Sequence, residues 1–214
     1  MSFWKSASII AALCALVLPA SASPTLRPVV YILHGYGAGP DEHWFPWLKT
    51  RLAEQGIEAR VLAFPNADQP SATAWAEYLD QAVTRHDRQT YFVAHSLGVI
   101  TLLRHIERLP ASTTLGGMVL VSGFAERLPD LPQLDPFIPP SLDLREIADK
   151  VRQRFVLAAK DDSIVPYRLT QTLAEELGAA FELRETGGHF LGSDGFVEHP
   201  AVLGQVLRMV RAGT

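Results

Sequence analysis

The chain has 214 residues, 48% of them hydrophobic and 20% charged, with 19 basic against 23 acidic side chains for a net charge of −4. That content is enough to bury a full core in one domain, which excludes the disordered and fibrous classes. The charges are scattered in mixed sign, so there is no basic face for nucleic acid and no polybasic patch for anionic lipid, and neither partner is expected.

The first 22 residues differ in kind from the rest. Lys5 precedes an apolar run from Ala7 to Leu18, and Pro19 and the small residues Ala20-Ser21-Ala22 follow. This is the pattern of a signal peptide cut after Ala22. The run falls well short of the roughly 20 residues that span a bilayer. The expectation is therefore a cleaved segment over 1–22 and a periplasmic or secreted domain over 23–214, held to a membrane only if the segment is retained. Cleavage removes Lys5, leaving 18 basic against 23 acidic groups for a net charge of −5, and it removes Cys14, the one cysteine. The mature chain then has neither a disulfide nor a thiol nucleophile.

Val29–Leu33 is a continuous apolar run ended by His34-Gly35, which predicts a strand buried on both faces and hence a central position in a parallel sheet. Gly35, Gly37 and Gly39 form a loop after it, and Asp41 is placed to cap a helix over 42–55, with Pro46 acceptable only in the first turn. The glycine loop lacks both the GK[ST] ending of a P-loop and a GxGxxG spacing. It reads better as backbone that turns N–H groups toward a ligand. A second strand is predicted over 57–63, and Ser71 caps an amphipathic helix in which Trp75 and Leu79 face the core.

The stretch Thr90–Ile100, TYFVAHSLGVI, runs from a strand straight into a helix with Ser96 at the apex. Ala94 and Gly98 satisfy the small-x-Ser-x-small requirement of a nucleophile elbow, although a serine that merely caps a helix after a strand has the same appearance. A fourth strand follows at 115–122. Residues 123–140 carry five prolines among Phe124, Leu128, Leu131, Phe137 and Ile138, and read as a long loop that either rims a binding site or seals the sheet edge. A short helix at 141–151, a strand at 154–159, a helix at 167–177, a strand at 181–184 and a closing helix at 200–210 complete the chain. Strand and helix alternate throughout, which predicts an α/β fold: a mostly parallel sheet of about six strands with helices on both faces.

In such a sheet, ligand sites form beyond the carboxyl ends of the strands. The loops there carry His34-Gly35-Tyr36, Ser96, Asp162 and His189, and the order Ser, Asp, His is that of the α/β-hydrolase triad. A serine hydroxyl needs a base, here His189, and a buried carboxylate to hold the imidazole, for which Asp161 and Asp162 both qualify on chemistry. Backbone N–H groups of Leu97, at a helix start, and of Tyr36 are placed to meet an oxyanion. Expected substrate contacts are His34, Gly35, Trp44, Phe124 and Phe190, with one of Trp44, Phe45 and Trp47 lining an apolar acyl site. His34, His43, His95 and His189 cluster near the site, but no metal-ligand spacing such as HExxH is present, and neither a metal nor another cofactor is expected. His95 reads as a packing or hydrogen-bonding residue of the elbow. His86, His105 and His199 read as surface.

HGYG, the HWFPWL segment from His43 to Leu48, AHSLG, LVSGFA from Leu120 to Ala125, AAKDDSIVP and GGHF together resemble the YdeN-like branch of the serine hydrolase family that includes retinoblastoma-binding protein nine. The resemblance covers nearly all of the mature chain. It implies a single-domain α/β-hydrolase without a cap domain and a triad of Ser96, Asp162 and His189; Asp162 is favoured because it heads the D-x-x-V-P pattern ending at Pro166. The expected activity is hydrolysis of carboxylic esters with small or medium acyl groups through an acyl-enzyme. The alternatives are an amidase or aminopeptidase, transfer of the acyl group to an alcohol, and a binding module that keeps the fold without the chemistry.

Overall fold

The computed structural model describes Met1 and residues 27–213; apart from Met1, the expected signal segment, Cys14 included, lies outside the described residues. Six strands form one sheet: β1 (Val29–Leu33), β2 (Glu58–Val61), β3 (Thr90–His95), β4 (Gly117–Val121), β5 (Arg154–Ala159) and β6 (Ala180–Arg184). Their order is β2-β1-β3-β4-β5-β6 and every neighbouring pair is parallel. Parallel strands need crossovers, and the helices that supply them are α1 (Phe45–Glu54), α2 (Ala72–Ala82), α3 (Leu97–Arg108), α4 (Leu144–Asp149) and α5 (Tyr167–Glu176), with α6 (Pro200–Gly213) following the last strand.

Side-chain alternation splits the core into two layers. Tyr31, Leu33, Phe92, Ala94, Met118, Leu120 and Val156 face a cluster that takes in Trp75 and Leu79 of α2 and Ile100, Leu103 and Ile106 of α3. Val30, Ile32, Val93, Val119, Val121 and Leu157 face the opposite cluster, with Phe45, Leu48 and Leu52 of α1 and Val202, Val206 and Met209 of α6. Every residue of β1, β3 and β4 is buried. That explains why these strands read as unbroken apolar runs, whereas edge strand β2 alternates exposed and half-buried.

Several boundaries differ from expectation. Helix α1 begins at Phe45, with Trp44 at its N-cap position and Pro46 in its first turn; Asp41 does not cap it. Residues 39–44 are instead spent on turns, in which the Glu42 carboxylate accepts the Gly39 N–H at 2.7 Å and His43 takes a left-handed φ of 54°. Strands β2 and β4 and helix α4 are shorter than their apolar runs, and α4 starts where Asp143 accepts the Glu146 N–H at 2.9 Å. The 123–140 loop contains a 3-10 helix, Pro132–Phe137, and its Phe124, Leu128, Leu134 and Phe137 are buried. Residues 192–194 form a short 3-10 turn that the sequence pattern did not predict.

His105 and His199, expected at the surface, are buried. His105 earns its place through Asp80, which accepts its Nδ1–H at 2.7 Å, and its Nε2 lies 3.0 Å from Nε2 of His86. His199 is held by packing: its ring lies 5.2–5.3 Å from the rings of Trp44, Phe190 and Phe196, and neither ring nitrogen has a protein partner among the described residues. Burial, aided by Arg184, pushes its pKa from 6.5 down to about 4. The folded chain therefore stays unprotonated at this position while the unfolded chain takes up a proton. Stability is undiminished above about pH 6.5 and falls as the pH drops toward 4, by on the order of 3 kcal/mol for this one group. In His199→Phe, the fall in melting temperature between pH 7 and pH 4.5 is expected to be smaller than in the wild type by about 5 °C or more, as measured by thermal melts at the two pH values.

Candidate active site

Register brings the ends of β1, β3, β4 and β5 to one edge: Leu33 pairs with Ala94, His95 with Val121, and Val121 with Leu157. Ser96 sits at that edge with φ 53° and ψ −122°, a conformation costing a non-glycine residue of order 1–3 kcal/mol. It occupies the N-cap position of α3, yet its side chain makes no capping hydrogen bond. The strained turn thus serves to present the hydroxyl, unlike an ordinary serine cap. Two glycines permit the turn. A Cβ on Gly98 would lie 2.6 Å from the His34 carbonyl oxygen, and one on Gly35 would lie 2.8 Å from Ser96 Cβ. Backbone from the β1 loop passes directly against the elbow, so neither position tolerates a side chain.

The imidazole of His189 donates its Nδ1–H to Asp162 Oδ2 at 2.8 Å, and both side chains are almost fully buried. The other Asp162 oxygen accepts the N–H groups of Ile164 and Val165, each at 2.9 Å, which fixes the carboxylate plane. With the ring proton held at Nδ1, the Nε2 lone pair is left as the base. Asp161 points elsewhere and accepts the Gly188 N–H at 2.9 Å. The adjacent pair is thereby resolved: one carboxylate meets the imidazole and the other holds its loop.

That loop is pinned at further points. Asp194 Oδ2 accepts from both His189 N–H (2.9 Å) and Leu191 N–H (3.0 Å), and the His189 carbonyl accepts the Nε2–H of His95 at 2.8 Å. Gly188 has φ 54°, and a Cβ there would collide with the Asp194 carboxylate at 2.7 Å. His95 is completely buried, and desolvation first, then the neighbouring His189, holds its pKa far below the usual imidazole value. It stays a neutral donor and is not positioned as a second base. Asp194 escaped sequence reasoning because its partners are backbone amides, which leave no residue-type signal.

Ser96 and His189 line one small cavity of about 80 Å³ together with Gly35, Tyr36, His43 and His95; Ala38, Leu131, Leu134, Ile164 and Leu191 form its apolar wall. Gly35 is thus at the wall, but His34, Trp44, Phe124 and Phe190 are not. His34 is buried behind the wall: its Nε2 accepts the Phe64 N–H at 3.2 Å and its Nδ1 bonds the Gly35 carbonyl at 2.9 Å, which joins the loops after β1 and β2. Trp44 and Phe190 are core residues of the α1 and α6 side, where the Trp44 indole donates to the Phe190 carbonyl at 3.1 Å, and Phe124 is core on the opposite side. Phe45 is also core and Trp47 packs beside it, so none of the three aromatics after the glycine loop reaches the cavity. Two of its apolar wall residues, Leu131 and Leu134, come instead from the 123–140 segment, which both rims the cavity and fills the core. Leu97 is the first residue of α3, so its N–H is free of intrahelical partners by position, and Tyr36 lines the cavity while remaining 38% exposed. Among the described residues, no group of three or more His, Cys, Asp or Glu side chains is arranged to hold a metal ion. No helix among them is long and apolar enough to cross a membrane.

A six-stranded parallel sheet with helices on both faces, a serine at the turn after its third strand and a His-Asp pair on the loops beyond later strands define the α/β-hydrolase class. Within it, the model of the serine hydrolase family matches residues 30–208, and the chain belongs to that family. YdeN of Bacillus subtilis (strain 168), named as a hydrolase, is 44% identical over 173 residues, covering 81% of this chain and 91% of its own length. The crystal structure of the B. subtilis ydeN gene product superposes with a TM-score of 0.83 at 42% identity, covering 85% of this chain and 98% of that one. At 16% identity, a YdeN-like hydrolase from Pectobacterium atrosepticum shares the fold with a TM-score of 0.67 over 87% of this chain and 92% of its own. A carboxylesterase structure from the thaumarchaeon Nitrososphaera gargenis does so at 9% identity, with a TM-score of 0.68 over 88% and 92% of the two chains.

If Asp194 clamps the loop, Asp194→Ala is expected to speed hydrogen exchange at the His189 and Leu191 amides by about tenfold or more. Asp194→Asn, which keeps one acceptor oxygen, stays near the wild-type rate. Amide exchange read by NMR or mass spectrometry checks both.

Proposed function

We propose that this protein hydrolyses carboxylic esters of short acyl groups through an acyl-enzyme on Ser96. The observation that carries the proposal is that His189, bonded to Asp162 at 2.8 Å, lines the same cavity as a serine held in a strained, uncapped turn. As Ser96 Oγ bonds to the ester carbonyl carbon, its proton passes to His189 Nε2 and the carbonyl oxygen becomes an oxyanion. Asp162 stabilises the resulting imidazolium. The N–H groups of Leu97 and Tyr36 meet the oxyanion, with the α3 dipole adding to the first. Collapse breaks the bond to the alcohol oxygen, which takes the proton from His189. Water then repeats the sequence, giving up a proton to His189 and releasing the carboxylic acid and the free serine.

A cavity of about 80 Å³ is small beside the roughly 300 Å³ at which ligand pockets begin, and its wall is largely aliphatic, which favours a short acyl chain over a large or charged one. We further propose that residues 1–22 direct export and are removed after Ala22, in keeping with their charge and hydropathy pattern. Mass spectrometry of protein recovered from periplasmic and secreted fractions is then expected to find a chain beginning at Ser23.

A fluorophosphonate probe is expected to label the wild type and not Ser96→Ala; equal labelling of both, or of neither, rejects the nucleophile. On p-nitrophenyl acetate, Asp162→Ala is expected to lose about 10³–10⁴-fold in kcat, while Asp161→Ala, which removes a loop contact only, loses tenfold or less. Matched p-nitrophenyl ester and anilide substrates measure the leaving-group preference, for which the ester is expected to be the faster.

A further inference from the structure

His43 lines the Ser96 cavity and has no part in the hydrolytic steps above. It holds a left-handed backbone conformation, φ 54°, that a non-glycine side chain seldom adopts, immediately before Trp44 and the start of α1. Strain of this kind persists where surrounding structure enforces it and collects at ligand-contacting positions. Here the enforcing contact is visible: the Gly192 N–H, on the loop that follows His189, donates to His43 Nδ1 at 3.0 Å. The ring also stands edge-on to Phe45, with centroids 5.5 Å apart.

The contact from Gly192 decides the tautomer. A backbone N–H can only donate, so Nδ1 bears a lone pair and the ring proton sits on Nε2. Burial first, then the nearby His189, lowers the His43 pKa, against the opposing pull of Glu42 and Asp194, so the ring is neutral near pH 7. Of the other polar residues of the wall, Tyr36 is 38% exposed to solvent and the remaining three already have duties. His189 Nδ1 is bound to Asp162, His95 Nε2 to the His189 carbonyl, and Ser96 is the nucleophile. His43 therefore gives a largely aliphatic cavity one neutral N–H donor of fixed tautomer.

We propose that His43 selects the acyl group by donating its Nε2–H to an acceptor oxygen carried on the acyl chain, so that the preferred substrates are esters of short alkoxy, oxo or hydroxy acids over those of plain alkanoic acids. The inference rests on the ester-hydrolase reading of Ser96. A neutral donor suits a neutral oxygen and gives no reason to prefer a carboxylate. Substrates without such an oxygen leave the N–H unpaired once the cavity is filled and dry, and that penalty is the source of selection.

The test uses p-nitrophenyl methoxyacetate and p-nitrophenyl butyrate, whose acyl chains differ by one oxygen in place of one methylene. Their intrinsic reactivities differ, but the difference cancels when the kcat/KM ratio of the pair is compared between enzyme variants. In His43→Phe the methoxyacetyl-to-butyryl ratio is expected to fall about threefold to tenfold relative to the wild type. In His43→Gln, whose amide can accept from Gly192 and still donate, the ratio is expected to return to within about twofold. An unchanged ratio in His43→Phe overturns the inference, whether butyrate hydrolysis is preserved or lost in parallel. Wild-type protein that hydrolyses neither ester and resists a fluorophosphonate probe overturns the ester reading itself, and the acyl selection with it. Labelled wild type with an unaltered ratio overturns the selection alone.

Discussion

The close approach of the β1 loop to the turn after β3 is the constraint on which the rest of the site depends. Ser96 can keep a strained backbone only because the packing around it leaves no alternative, and that packing is backbone against backbone: Gly98 beneath the carbonyls of Leu33 and His34, and Gly35 against Ser96 itself. The parallel pairing of β1 with β3 sets this approach, through the register that aligns Leu33 with Ala94. Strand order, glycine position and hydroxyl presentation are thus one fact seen at three scales. The same approach brings Tyr36 to the cavity that Ser96 lines, so both residues are positioned by a single contact.

Neutral imidazoles and carboxylates divide the remaining work by their hydrogen-bonding character. Carboxylates hold five of the loop amides: Asp161 that of Gly188, Asp194 those of His189 and Leu191, Asp162 those of Ile164 and Val165. Buried imidazoles join loops, His34 through both ring nitrogens and His95 through Nε2. His34 ties the loops after β1 and β2, and His95 ties the elbow to the carbonyl of His189. Burial depresses the pKa of both rings, which is what makes them dependable neutral linkers. Around His189, then, backbone N–H and C=O are both anchored, and Asp162 alone is left to fix the ring.

Legibility in the sequence followed how directly a residue type reports its surroundings. Strands β1, β3 and β5 were legible because burial on both faces demands unbroken apolar runs, and Ser96, the Asp161–Asp162 pair and His189 because few residue types do their chemistry and their order is restrictive. Residue chemistry could not separate Asp161 from Asp162, since neighbouring side chains on a turn diverge and only the fold says which way each goes; the D-x-x-V-P resemblance pointed to Asp162, the residue that meets His189. Asp194 was invisible because amide acceptors are commonplace on turns. The aromatic residues misled for a physical reason: Trp44, Phe124 and Phe190 are large enough to serve either core or cavity, and the core claimed all three. His199 failed the usual polarity rule, being buried among aromatic rings with no protein partner for either nitrogen among the described residues.

The segment after β4 shows why a small hydrolase can shape a cavity without a separate cap. Its aliphatic residues Leu131 and Leu134 face Ser96, while Phe124, Leu128 and Phe137 sink into the core on either side of them. Leu134 does both, since it lines the cavity and is itself 3% exposed within the core cluster. A wall anchored in this way cannot be enlarged without opening a cavity in the core, and removing a buried leucine side chain costs about 2–5 kcal/mol. Leu131 lies outside the buried cluster and is only packed against it, so it can change at less expense. Divergence in cavity size on this scaffold should accordingly run through Leu131 and the exposed lining residue Ile164, with Leu134 held fixed by the fold it helps to stabilise.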